Sequence, residues 1–196
     1  MTFRPAYVLD IPAHLPDPGE YTFELLNANG GIISSYPFAP ARIEADSLET
    51  GAAFEFNGFH MALPYTEGIA SICVRHGDAI FGELKASTHP PSLEAGVSAL
   101  DADSHSVRVN WFGHAAEGMS LHYLVRTSTD GGATWQTVGV DLSTPAIDLR
   151  SNDYGGQSVL VQVLASDGLR TASLQLGPFD VPQATVVSPQ GVSGNR

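Results

Sequence analysis

The sequence predicts an all-β protein made of two antiparallel β-sandwich domains in tandem. Three observations carry this. Apolar side chains recur with period two, as in Tyr21, Phe23 and Leu25, in Val107, Val109 and Trp111, and in Val159, Val161 and Val163. The 196 residues hold 20 Gly and 13 Pro, more punctuation than long helices tolerate but normal for short strands and turns. Nowhere does a 3.6-residue stripe run for three or four turns.

In the first half, Tyr21 to Leu26 alternates, Asn27-Ala28-Asn29-Gly30-Gly31 turns the chain, and Ile32 to Phe38 runs back. Pro37 and Pro40 lack ladder donors, so the second of these strands belongs at a sheet edge. Ala41 to Thr50 reads as a loop. Further strands are expected at Ala53 to Asn57, Phe59 to Pro64, Ile69 to Arg75 and Ala79 to Lys85, the last two joined by His76-Gly77-Asp78. His89-Pro90-Pro91-Ser92 favours an extended connector. It divides the chain into residues 1–92, an N-terminal sandwich, and residues 93–185, a second sandwich. Residues 186–196, rich in Ser, Gly, Pro and Asn, read as a flexible tail.

The second half is more regular. New strands begin at Val97, and Ser106 to Trp111 alternates cleanly. Leu121 to Thr127 and Gln136 to Val140 flank Ser128-Thr129-Asp130-Gly131-Gly132-Ala133-Thr134-Trp135, which reads as a hairpin turn pinned by its tryptophan. Ala146 to Leu149, Val159 to Ala165 and Arg170 to Leu176 complete the set, with Ser166-Asp167-Gly168 turning the chain between the last two.

From Trp111, Tyr123, Trp135 and the run Val161-Gln162-Val163-Leu164-Ala165, residues 93 to 182 resemble a fibronectin type III domain. That family places a tyrosine at the start of its penultimate strand, where this sequence has Val159. Ser128, Asp130, Gly132, Thr134 and Trp135 match the Asp-box pattern, which resembles turn-stabilising elements of carbohydrate-associated proteins. Asp130 can accept backbone N–H bonds there while Trp135 packs over the loop. With Tyr21 to Leu26 and Ser34 to Phe38, the whole chain resembles the C-terminal region of large bacterial secreted proteins, some of which carry peptidase domains upstream. Such a likeness assigns no reaction.

Charge narrows the partners. Acids number 21 against 9 basic residues, giving −12, so nucleic acid and anionic membrane are disfavoured. No apolar run approaches the length of a membrane span, and Met1 to Asp10 lacks the pattern of a secretory signal. Cys73 reads as a buried thiol, because His76, three positions along a strand, faces the other way.

Candidates for chemistry are sparse. Seven histidines are scattered without a His-Glu-x-x-His helix, although His105 and His122 lie on strands that could approach. Asp101 and Asp103 are the first candidates for calcium. Glu24 and Glu55 are available as paired carboxylates, but nothing singles them out. No Gly-x-Ser-x-Gly elbow, phosphate loop or dinucleotide fingerprint occurs. Tyr65 and Tyr154 are the candidates for stacking against sugar rings. The reading is a non-catalytic accessory module for spacing, adhesion or presentation in a larger extracellular protein, with a glycan or protein ligand possible. The alternative is a carbohydrate-binding module of a secreted hydrolase.

Overall fold

The computed structural model describes residues 1–46, 53–101, 105–115 and 118–183. The protein is all-β, built of several antiparallel sheets. In chain order its strands are β1 (Tyr21–Leu26), β2 (Ile32–Phe38), β3 (Ala41–Asp46), β4 (Ala53–Gly58), β5 (Ser71–His76), β6 (Ala79–Lys85) and β7 (Ser92–Ala95). They continue as β8 (Ala99–Asp101), β9 (Ser106–His114), β10 (His122–Ser128), β11 (Gln136–Leu142) and β12 (Ala146–Arg150). One helical turn, α1 (Ser151–Tyr154), precedes β13 (Ser158–Ser166) and β14 (Thr171–Asp180). The chain forms two compact units. The first comprises Met1–Pro91, Ala115–His122 and Ser166–Thr171, and the second comprises Ser92–His114, Tyr123–Ala165 and Ala172–Arg196.

The first unit holds a four-stranded sheet in the order β2-β1-β5-β6 and a two-stranded sheet, β3-β4. Alternation in β1 sends Phe23 and Leu25 to one face, where Phe38, Ile72 and Val74 join them in the core. Phe3 and Leu169, distant in sequence, pack against the same cluster. The hairpin between β1 and β2 is closed by Asn27, whose Oδ1 accepts the amides of Asn29 and Gly31 at 2.9 Å each. Pro37 of β2 lies opposite Thr22 of β1, and among the described strands β2 stands at the sheet's edge, where a missing donor breaks no ladder. On the opposite face, Glu24 stands across from Cys73, and Arg75 is one diagonal step away. Arg75 Nε donates to Glu24 Oε2 at 2.9 Å, so the buried carboxylate has a charged partner. Cys73 is 2% exposed on an interior strand, and burial pushes its thiol up.

The second unit has two antiparallel sheets, β11-β10-β13-β14 and β12-β9-β7, with β8 also pairing with β9. Val107, Val109 and Trp111 on β9 are buried, as are Val159, Val161 and Val163 on β13. Trp111 from one sheet meets Tyr123 from the other edge-on, with centroids 5.5 Å apart. The alternate positions of β9 point outward. There Arg108 pairs with Asp148 at 3.0 Å, directly across the ladder on β12.

Several sequence expectations are corrected. Ala41–Asp46 is not a loop: it pairs antiparallel with Ala53–Gly58 throughout, so the partner strand supplies the order that its composition does not advertise. Residues 47–50 lie outside the described residues. Phe59 to Pro64 is not a strand, and its ladder contact is reduced to a single bridge between His14 and Ala62. There Met61 and Leu63 serve the core cluster without continuous pairing. The second set of strands begins at Ser92, not Val97; β7 pairs with β9, and Val97 is 83% exposed. The tail assigned to 186–196 lies outside the described residues.

Candidate functional site

The turn from Ser128 to Trp135 is built by its own side chains. Ser128 Oγ donates to Asp130 Oδ1 at 2.7 Å and accepts the amide of Gly132 at 2.8 Å. Asp130 Oδ1 also accepts the Thr134 amide at 2.9 Å, and its Oδ2 accepts the Thr134 hydroxyl at 2.6 Å. Hydrogen bonds from the Thr134 hydroxyl and amide, then from Ser128, hold the Asp130 carboxyl well below the usual carboxylate range. Trp135 is half-buried, with the Arg126 guanidinium 5.8 Å from its ring centroid. The four side chains singled out in this segment and the Gly132 backbone therefore fall in one turn. The carboxylate's bonds run to the turn itself, which is a structural use.

The remaining sequence candidates are dispersed. Tyr65 is 63% exposed in the first unit. Tyr154 belongs to the second, at the end of α1, where its hydroxyl lies 3.1 Å from Thr127 Oγ1 on β10. That bond makes Tyr154 a tie between the β12–β13 connection and a core strand rather than a free ring. Asp101 ends β8, its backbone opposite Ser106, and Asp103 lies outside the described residues. Among the described residues no three His, Cys, Asp or Glu side chains converge as a metal-binding group. Glu24 is engaged by Arg75.

A different cluster stands at one end of the first unit's four-stranded sheet. Register places Tyr21 opposite both Phe38 on β2 and His76 on β5. The Tyr21 and His76 rings stack with centroids 4.7 Å apart and 26° between planes. Phe81 stands across both, at 80° to Tyr21 and 86° to His76, with centroids 5.5 and 6.0 Å away. The ladder between β5 and β6 is irregular where Phe81 falls: Ile80 pairs with Arg75 and Gly82 with Val74. This extra residue aims Phe81 toward the aromatic side. His76 is 44% exposed at its side chain and Phe81 47% exposed overall, and Glu20 Oε2 lies 3.3 Å from His76 Nε2. The result is a corner of two nearly perpendicular ring planes with a solvated carboxylate at its rim.

Sequence reading missed this cluster. Its local signals were present, a hairpin of β5 and β6 around Gly77-Asp78 and a strand beginning at Tyr21. The pairing of β1 with β5 and the displaced register at Phe81 were not.

No protein-family model matches this sequence, and no curated protein matches it. Among the described residues no helix is long and apolar enough to cross a membrane.

Proposed function

We propose that this chain is a non-catalytic accessory region of a larger exported protein, serving spacing, adhesion or presentation, and that its second unit is a fibronectin type III-like sandwich. The observation that carries the reading is the strand order, β12-β9-β7 in one sheet and β11-β10-β13-β14 in the other. An antiparallel sandwich wound this way is what immunoglobulin-like modules use to bury alternating faces between two sheets. Tyr154 lies in the connection before the penultimate strand, and its hydroxyl reaches Thr127. Its partner is the Thr127 side chain on β10 rather than the nearby backbone, so it ties the connection down in a different way from the family's corner tyrosine. The self-closing turn at Asp130 supports the Asp-box likeness. The side chains best suited to chemistry, Glu24, Asp130 and Asp167, have partners within the fold: Arg75, Thr134 and Ser87 respectively.

The test is where the chain resides. Antibody against it, applied to fractionated source cells, is expected to detect it at the surface or in the medium within a polypeptide longer than 196 residues. Confinement to the cytoplasm would overturn the reading. The second reading is a carbohydrate-binding module of a secreted hydrolase. The grouping of the His76 and Phe81 rings favours it at that corner over Tyr65 or over Tyr154, which is tied to Thr127.

A further inference from the structure

We propose that the corner formed by Tyr21, His76 and Phe81, with Glu20 at its rim, is a binding site for a neutral pyranose chain with equatorial hydroxyls. This rests on the carbohydrate-binding reading and assigns it a place and a ligand class. A pyranose whose hydroxyls are equatorial presents axial C–H bonds on both faces. Those weakly positive hydrogens suit the negative face of an aromatic ring. Phe81 and His76 offer ring planes nearly at right angles, so a sugar seated in the corner can lay one face on one ring and an edge on the other. Stacking alone gives little selectivity, and polar groups beside the rings must supply it. Glu20 and His76 do so as a pair, because the carboxylate accepts from sugar hydroxyls while the imidazole can donate or accept.

Charge selects against the obvious competitors. Glu20 is 86% exposed at its side chain, and the protein carries −12, so uronic acids and sulfated sugars meet repulsion. A quaternary ammonium ion would be drawn to rings and carboxylate together. Tyr21 and His76 stack on one another, however, and so withdraw a pair of faces from a surrounding cage. Two part-exposed rings set nearly at right angles suit a flat ring better than a sphere.

The experiment is calorimetric titration of the full chain with cellohexaose and xylohexaose, with tetragalacturonate and choline as contrasts. Saturable binding of a neutral chain and none of the contrasts is expected. Phe81→Leu keeps apolar bulk but removes the ring, and should weaken binding about tenfold. Glu20→Gln should weaken it less, and Tyr65→Ala should leave it unchanged. Protection of Cys73 from alkylation checks that each first-unit variant remains folded. Neutral-sugar binding that survives Phe81→Leu, or is lost in Tyr65→Ala, overturns this site while sparing the broader carbohydrate reading. Choline binding without sugar binding overturns the ligand class. No saturable binding of either neutral chain overturns both.

Discussion

Two turns in this protein use the same three residue types and do opposite things with them. Ser128, the last residue of β10, leads through Asp130 and Gly132 to β11, and Ser166, the last residue of β13, leads into Asp167 and Gly168. Both serine hydroxyls are buried and both accept a glycine amide, at 2.8 Å from Gly132 and 3.1 Å from Gly168. In the first turn every side-chain bond of Ser128 and Asp130 closes within Ser128–Thr134. In the second the chain reaches far outside itself. The Ser87 hydroxyl lies within donating reach of both the Asp167 carboxylate and the His89 carbonyl, which share its one hydrogen. Ser166 Oγ donates to the Ala6 carbonyl at 2.6 Å, the Ala6 amide donates to Gly168 at 2.8 Å, and Arg170 Nη1 donates to the Thr88 carbonyl at 3.2 Å. Leu169 packs against the first unit's core. One turn is a local latch and the other a long-range clamp. The difference lies in burial and in sequence separation, not in composition.

The comparison can be broken most forcefully at Asp167. Asp167→Ala removes an acceptor from Ser87 and from the amides of Leu169 and Arg170 in a buried setting, and should cost about 3 kcal/mol. Urea denaturation measures this. Thiol exposure of Cys73 should precede the fluorescence change of Trp111 and Trp135, since both tryptophans belong to the second unit. A loss below about 1 kcal/mol would erase the distinction between clamp and latch.

Next come the two glycines. Gly168 has φ +123°, and a Cβ there would stand 3.4 Å from Leu84. Gly132 has φ +95°, and its nearest neighbour would be Trp135 at 3.6 Å. Both conformations are unfavourable to L side chains, but the first lies further from the left-handed basin and faces the tighter contact. Gly132→Ala should cost about 1 kcal/mol and Gly168→Ala about 2 kcal/mol in the same denaturation assay.

The smallest global effect is expected at Asp130, which is solvated and acts inside its own turn. Asp130→Asn should leave the unfolding midpoint nearly unchanged while speeding hydrogen exchange at the Thr134 amide. The pH dependence has a definite sign. Because the folded carboxyl titrates below its unfolded value, its contribution is complete above the unfolded pKa, about 3.9, and is lost only as pH falls through the folded value. Thr134 protection in the parent protein should therefore persist at about pH 3, where an ordinary carboxylate is mostly protonated. Loss of protection already near pH 4 would contradict this.

Legibility follows the same division. The hairpin turn at Asn27, the second unit's strands from β9 onward and the residues of the Asp130 turn could be read because their pattern and partners are near in sequence, whereas β7 could not. Alternation placed Val107, Val109, Val161 and Val163 inward, and they are buried. Ala41–Asp46 could not be read as a strand, because its order comes from pairing with β4. Phe59 to Pro64 reads as extended and apolar, yet its side chains serve a core without a ladder. Most of the candidate site was hidden for a third reason. Tyr21, His76 and Phe81 converge only through a register between strands about fifty residues apart and a one-residue irregularity opposite Arg75. The clamp at Asp167 was hidden because Ser87 lies 80 residues away and Ala6 160 residues from Ser166.

The solitary cysteine gives the molecule a built-in clock. Cys73 is the chain's one sulfhydryl, desolvated on a strand flanked by neighbours on both sides. A desolvated sulfhydryl ionises reluctantly, and the thiolate is the reactive form. Labelling must therefore wait for that sheet to part. Its rate under native conditions records how often one half of the chain breathes, without a dye or a tag, while the indoles report on the other half.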